Sequence, residues 1–141
     1  MKPYLCVLLL AVFECGACGP ANLEGLRKDV EAAFLSKSLL GIATKYCDSQ
    51  GVRVTVENES DHENPTVILE FKSVSELSTW FFEKHEFSEQ MIIPSPAHCR
   101  GEGCTYALPE LTLHHGVYLL GFEARKVGRC TPLTQLHIDW G

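Results

Sequence analysis

The sequence predicts an α+β fold: an N-terminal helix or helices plus a second helix, packed on a curved antiparallel sheet of about five to six strands. Three observations carry this expectation. Helical periodicity fills Leu23 to Tyr46, a second helical stretch follows two short strand-like segments, and the remainder is strand-rich with glycine and proline punctuation.

In the first helical region Leu23, Leu26, Val30, Ala33 and Phe34 recur at three- and four-residue steps, with Arg27, Lys28, Asp29 and Glu31 between them. Gly41 interrupts the pattern, so two helices or one bent helix are expected, closed by Cys47 and the turn-forming DSQG. In VRVTVEN, Val52, Val54 and Val56 alternate with polar residues, which is the mark of a half-buried strand. The polar loop ESDHENP leads to a second strand, TVILEFK, expected to pair with the first as a hairpin. Ser73 and Glu76 then form a capping-box pattern, and Val74, Leu77 and Phe81 share the inward face of the second helix, with Trp80 at its edge. Strands are expected within EQMIIP, CTYAL, LTLHHGVYLLGFEARKV and TPLTQLHIDWG. Pro94, Pro96 and Pro109 belong at strand ends or bulges, because proline cannot donate to a ladder.

The N-terminus reads as an export signal. Lys2 precedes an apolar run of ten residues, Tyr4 to Phe13, and CGACG then supplies small residues. The run is too short for a membrane span, which needs about 20 residues of helix. Cleavage is expected after Cys18, giving a signal peptide at 1–18 and one secreted, extracellular domain at 19–141. The CGAC stretch also fits a lipoprotein box, although Cys15 stands where such boxes carry leucine. Lys2 and Glu14 leave together, so the formal charge stays at −6. That acidic balance, without any basic cluster, argues against nucleic acid and against anionic membrane as partners.

Removal of Cys6, Cys15 and Cys18 leaves Cys47, Cys99, Cys104 and Cys130. An even count in a small secreted chain reads as a disulfide framework with three pairings open. Cys99–Cys104 with Cys47–Cys130 is favoured, because the two glycines of RGEG suit a tight reversal between adjacent strands. A metal site at His98, Cys99 and Cys104 would need free thiolates and a fourth ligand, and in an oxidising compartment Cys99 and Cys104 read as a staple instead, so no metal or other cofactor is expected. Asn58-Glu59-Ser60 is a glycosylation sequon in a polar loop; Asn64 is excluded by Pro65.

The element order resembles the nuclear-transport-factor-2-like superfamily, a cone of bent sheet around helices that includes small secreted nematode proteins. The resemblance covers residues 23 to 141 and ends on HIDWG. It implies enzymes, binding modules or dimerisation modules without choosing among them. A cystatin-like inhibitor is the rival, but QGVRV has Val54 where the inhibitory loop needs glycine and begins a strand.

No nucleophile–base spacing or phosphate-cradling loop is present, so no catalytic residue is assigned. His137 and Asp139 lie two apart on one strand and share a face, and because Leu136, Ile138 and Trp140 occupy the other, this pair is expected to be solvated on the outside. His114 and His115 point to opposite faces and cannot readily share an ion; His62 and His85 are expected to meet solvent. The leading expectation is a non-enzymatic domain that binds a small apolar ligand or a protein partner. Tyr118, Leu120 and Phe122 would line the mouth of the cone, and dimerisation through the sheet face is a further mode. A small lyase or isomerase with a histidine or aspartate base is the alternative from another class.

Overall fold

The computed structural model describes residues 23–58, 62–63, 65–84, 89–107 and 116–140. The expected signal peptide, Ser60 of the sequon, His85, Pro109, His114 and His115 lie outside these residues.

Helix α1 (Leu23–Leu35) buries Leu26, Val30 and Phe34 at four-residue steps. The break before α2 (Leu40–Tyr46) falls at residues 36–39, ahead of Gly41, which lies within the second helix. Its cause is local. Lys37 takes a left-handed φ of 58°, its N–H donates to Phe34 O at 3.2 Å and that of Ser38 to Ala33 O at 3.0 Å. These two bonds are a Schellman turn, built on lysine where glycine is usual. The Leu39 N–H donates to the buried Ser78 hydroxyl at 2.9 Å, tying the turn to the third helix.

Strands β1 (Val52–Glu57) and β2 (Thr66–Phe71) form the expected antiparallel hairpin. Helix α3 (Val74–Ser78) is capped by Ser73, whose hydroxyl accepts the Glu76 N–H at 3.0 Å. Glu76 reaches back one residue further than a capping box requires, accepting the Lys72 N–H at 2.7 Å. Asp48 adds to this cap, accepting from the Val74 N–H at 2.7 Å and the Ser75 hydroxyl at 2.6 Å. A wider π-type turn, Thr79–Lys84, continues the helix and buries Phe81.

The remaining strands are β3 (Gln90–Ile92), β4 (Ala97–Arg100), β5 (Gly103–Tyr106), β6 (Gly116–Ala124) and β7 (Leu133–Trp140). The α+β class is as expected, with an open, curved sheet. Its composition differs in detail: the described residues form seven strands in mixed orientation, ordered β2-β1-β7-β6-β5-β4, with β3 on β6. Two pairings are parallel. The first and last strands meet when β1 lies beside β7, and β3 takes the first third of nine-residue β6 while β5 takes its later part.

One face of the sheet packs on the helices. Val54, Leu119, Leu136 and Ile138 from the strands meet Val30, Phe34, Leu39, Leu77 and Phe81, all at most 1% exposed. The aromatic stripe expected of α3 belongs to this core, where the Phe81 and Phe82 rings sit edge to face at 4.8 Å and Trp80 packs on Phe71 at 5.2 Å.

Candidate functional site

The candidate site is the sheet face turned away from the helices. Paired residues share a face, so the register sorts this surface into rows. Glu70, Arg53, Gln135, Glu123 and Gly103 form one row across β2, β1, β7, β6 and β5. Ile68, Thr55, His137, Gly121 and Thr105 form the next. Thr66, Glu57, Asp139, Tyr118 and Ile92 form the third, with β3 replacing β5.

A register shift in β6 between Leu119 and Gly121 changes the expected ligand-lining strand face. Tyr118 opposes Asp139 on the outer face, whereas Phe122 opposes Leu136 and joins the core. Tyr118, Leu120 and Phe122 therefore do not line one surface. A single extra residue re-aims everything beyond it. Tyr118 and Phe122 are each 2% exposed, and Leu120 is half-buried.

His137 and Asp139 do face outward, but Asp139 is 1% exposed and so is not the solvated residue that strand parity suggests. Its cross-strand partner Tyr118 is equally enclosed. The Tyr118 ring stands over Gly116, where a Cβ would lie 2.7 Å from Ile92 Cδ1 and 3.1 Å from Tyr118 Cε2, so the glycine makes room for both side chains. His137 Nε2 lies 3.0 Å from Glu57 Oε1 across the parallel β1–β7 pair, with both groups partly exposed.

Two grooves open toward the other end of these strands. The larger, about 600 Å³, is bounded by Arg53, Glu70, Lys72, Glu123, Arg125 and Gln135. The smaller, about 350 Å³, shares Glu123 and adds His98, Arg100, Glu102 and Thr105. Its floor is lowered by Gly103, where a Cβ would come within 2.2 Å of Phe122 O. Charges alternate along the rims: Arg53 pairs with Glu70 at 3.0 Å and Arg125 with Glu102 at 3.7 Å, all four side chains exposed. The surface therefore presents charges of both signs. Neither groove reaches His137 or Asp139.

Polar contacts on the other side hold the helices in place. The Tyr106 hydroxyl donates to Glu31 at 2.8 Å, and Arg27 Nη1 donates to the same carboxylate at 2.6 Å. Burial, followed by the bond to Glu31, pushes the Tyr106 phenol above its ordinary range. Asp29 accepts from Lys45 Nζ at 2.6 Å and from the Tyr46 hydroxyl, and these bonds hold its carboxyl below the ordinary value. Tyr46 is pushed up to about 12 by burial and by its bond to Asp29.

The cysteines pair as favoured from the sequence. Cys99 and Cys104 face each other directly across the β4–β5 hairpin, with Gly101 at a φ of 63° in the turn. Cys47 and Cys130 join the end of α2 to the segment before β7, their Cα atoms 5.5 Å apart. His98 is exposed, on the sheet face opposite the disulfide. Among the described residues no cluster of three or more histidine, cysteine, aspartate or glutamate side chains could hold a metal ion. None of their helices is long and apolar enough to cross a membrane. Asn58 directly follows β1, half-buried, with its N–H on Pro65 O at 2.8 Å.

The groove residues escape sequence reading because β1 and β7 are separated by most of the chain. Alternation places Arg53 on a polar face, but nothing local places Gln135 beside it. Fold and surface together define a two-disulfide α+β domain with a packed interior and a grooved, charged outer sheet face. Comparison of the chain with protein families, curated proteins and solved structures finds no match.

Proposed function

We propose that this chain is a secreted, disulfide-stabilised, non-enzymatic domain that binds a protein partner through the outer face of its sheet, at the groove between Arg53, Glu70, Glu123 and Gln135. The observation that carries this reading is the division of labour between the two faces. The inner face is occupied by tightly packed side chains, whereas the outer face offers a wide groove with exposed charges of both signs. A concave charged surface suits the polar groups of a protein better than an apolar small molecule. By element order, we place the chain in the nuclear-transport-factor-2-like superfamily, and we assign Asn58 as a glycan acceptor.

A photo-cross-linking residue at position 135 tests the surface, with position 28 on the helix side as the comparison. The expected outcome is a defined adduct from 135 that is absent from 28 and lost in Arg53→Glu; equal labelling from both positions would defeat the proposal. Native mass spectrometry of the same secreted material decides between ligand classes, since a small apolar molecule released on denaturation would favour the alternative. Export has its own checks. Sequencing of the secreted N-terminus should show cleavage after Cys18, and Asn58→Gln should abolish a glycan-dependent shift on gels.

A further inference from the structure

Strand β2 forms the edge of the sheet, and its only strand neighbour among the described residues is β1. Two of the five exposed large hydrophobic residues among those described, Val67 at 41% and Ile68 at 58%, are adjacent in it. Its pairing with β1 is unbroken from Thr66 to Phe71, with no bulge to twist the edge away. No lysine or proline interrupts it either; Pro65 and Lys72 flank it outside. Edge strands of natural proteins are ordinarily blunted by such devices.

The direction of its backbone groups follows from one bond. The Asn58 N–H donates to Pro65 O at 2.8 Å, one register step beyond Glu57 and Thr66. Hydrogen-bonded pairs recur at every second position of an antiparallel ladder. Val67, Leu69 and Phe71 therefore turn their N–H and C=O groups to β1, and Thr66, Ile68 and Glu70 turn theirs to the open edge.

We propose that two copies of this chain associate through antiparallel pairing of β2 with β2, centred on Ile68, so that their sheets become one. In this register Ile68 opposes its own copy on the two-fold axis, Thr66 opposes Glu70, and Val67 opposes Leu69. The outer face of one copy continues into that of the other, and every edge-facing backbone group from Thr66 to Glu70 gains a partner. No like charges meet. The threonine hydroxyl can donate to the glutamate carboxylate, while Arg53 already partners Glu70 within each copy. That self-complementarity selects a second copy over an unrelated strand. One strand per copy is a short contact, below the standard interface size, so the dimer is weak and concentration-dependent. It shares Glu70 with the proposed partner-binding groove but keeps Arg53, Glu123 and Gln135 outside the contact, so the Ile68 variants and cross-linking from position 135 report on the two proposals separately.

Sedimentation velocity on the secreted, disulfide-intact chain, from micromolar to millimolar concentration, is the test. The mass should rise from one chain toward two. Ile68→Pro removes an edge-facing N–H without touching the β1–β2 ladder, and Ile68→Lys sets two like charges on the axis. Each should move the midpoint at least about tenfold upward, the equivalent of about 1.4 kcal/mol, with circular dichroism and thermal midpoint retained. A chain that stays monomeric throughout overturns the proposal. So does a dimer indifferent to Ile68→Lys, or one lost in Gln135→Lys, which would place the contact on the sheet face.

Discussion

At the level of single residues, the polar contacts that matter most join positions far apart in the chain. Tyr106 and Glu31 are 75 residues apart, yet their 2.8 Å bond fastens the sheet to α1 in a half-buried setting. Tyr106→Phe should cost about 1 kcal/mol, because one hydrogen bond is lost and Glu31 keeps Arg27 as a partner. A lower urea midpoint at unchanged slope would show it. Asp29 gives a pH-dependent counterpart. Its folded carboxyl titrates below the ordinary value of 3.8 because Lys45 and Tyr46 bond to it. The folded state therefore prefers the charged form, and this stabilisation is fully present above the unfolded value and fades as pH falls through the folded one. Asp29→Asn should accordingly flatten the acid side of a stability–pH profile and leave the wild-type chain no advantage at the lowest pH; identical profiles would count against the contact.

At the level of elements, local patterns were readable where local physics sets the structure. Ser73 followed by Glu76 marks the start of α3, and the structure places the serine oxygen on the Glu76 N–H. Ser73→Ala should therefore cost about 1 kcal/mol of folding free energy; an unchanged chemical-denaturation midpoint would mean that Asp48 alone suffices as the cap. The alternation of β1 and the apolar run of β2 made the hairpin equally legible. Legibility ended where one residue or one distant strand decides. The left-handed Lys37 ends α1 without glycine, and the extra residue in β6 turns Tyr118 outward while Phe122 stays inside. Simple alternation across YLLGF gives no sign of that shift. Nor could any local pattern show the parallel β1–β7 pair on which the groove depends.

For the molecule as a whole, two covalent links act on very different lengths of chain. Cys47–Cys130 spans 83 residues and Cys99–Cys104 spans 5. By the chain-entropy relation the long link is worth about 4–5 kcal/mol and the short one about 2 kcal/mol. Replacing the long pair with alanine should lower the thermal midpoint more than replacing the short pair; the reverse ranking would show that local strand pairing outweighs loop closure. The long link also lies where α2, the start of β1 and the approach to β7 come together, and the Thr131 N–H donates there to Tyr46 O at 3.1 Å.

Because β7 lies between β1 and β6, the middle of the sheet is closed by a strand that follows all the other described strands in the chain. A nascent chain halted before Leu133 would hold two half-sheets, with Val54 and Val56 on one and Leu119 and Phe122 on the other, and would lack the strand that joins them beneath the helices. Chaperones should therefore hold such arrested chains and release them once residues 133–140 emerge.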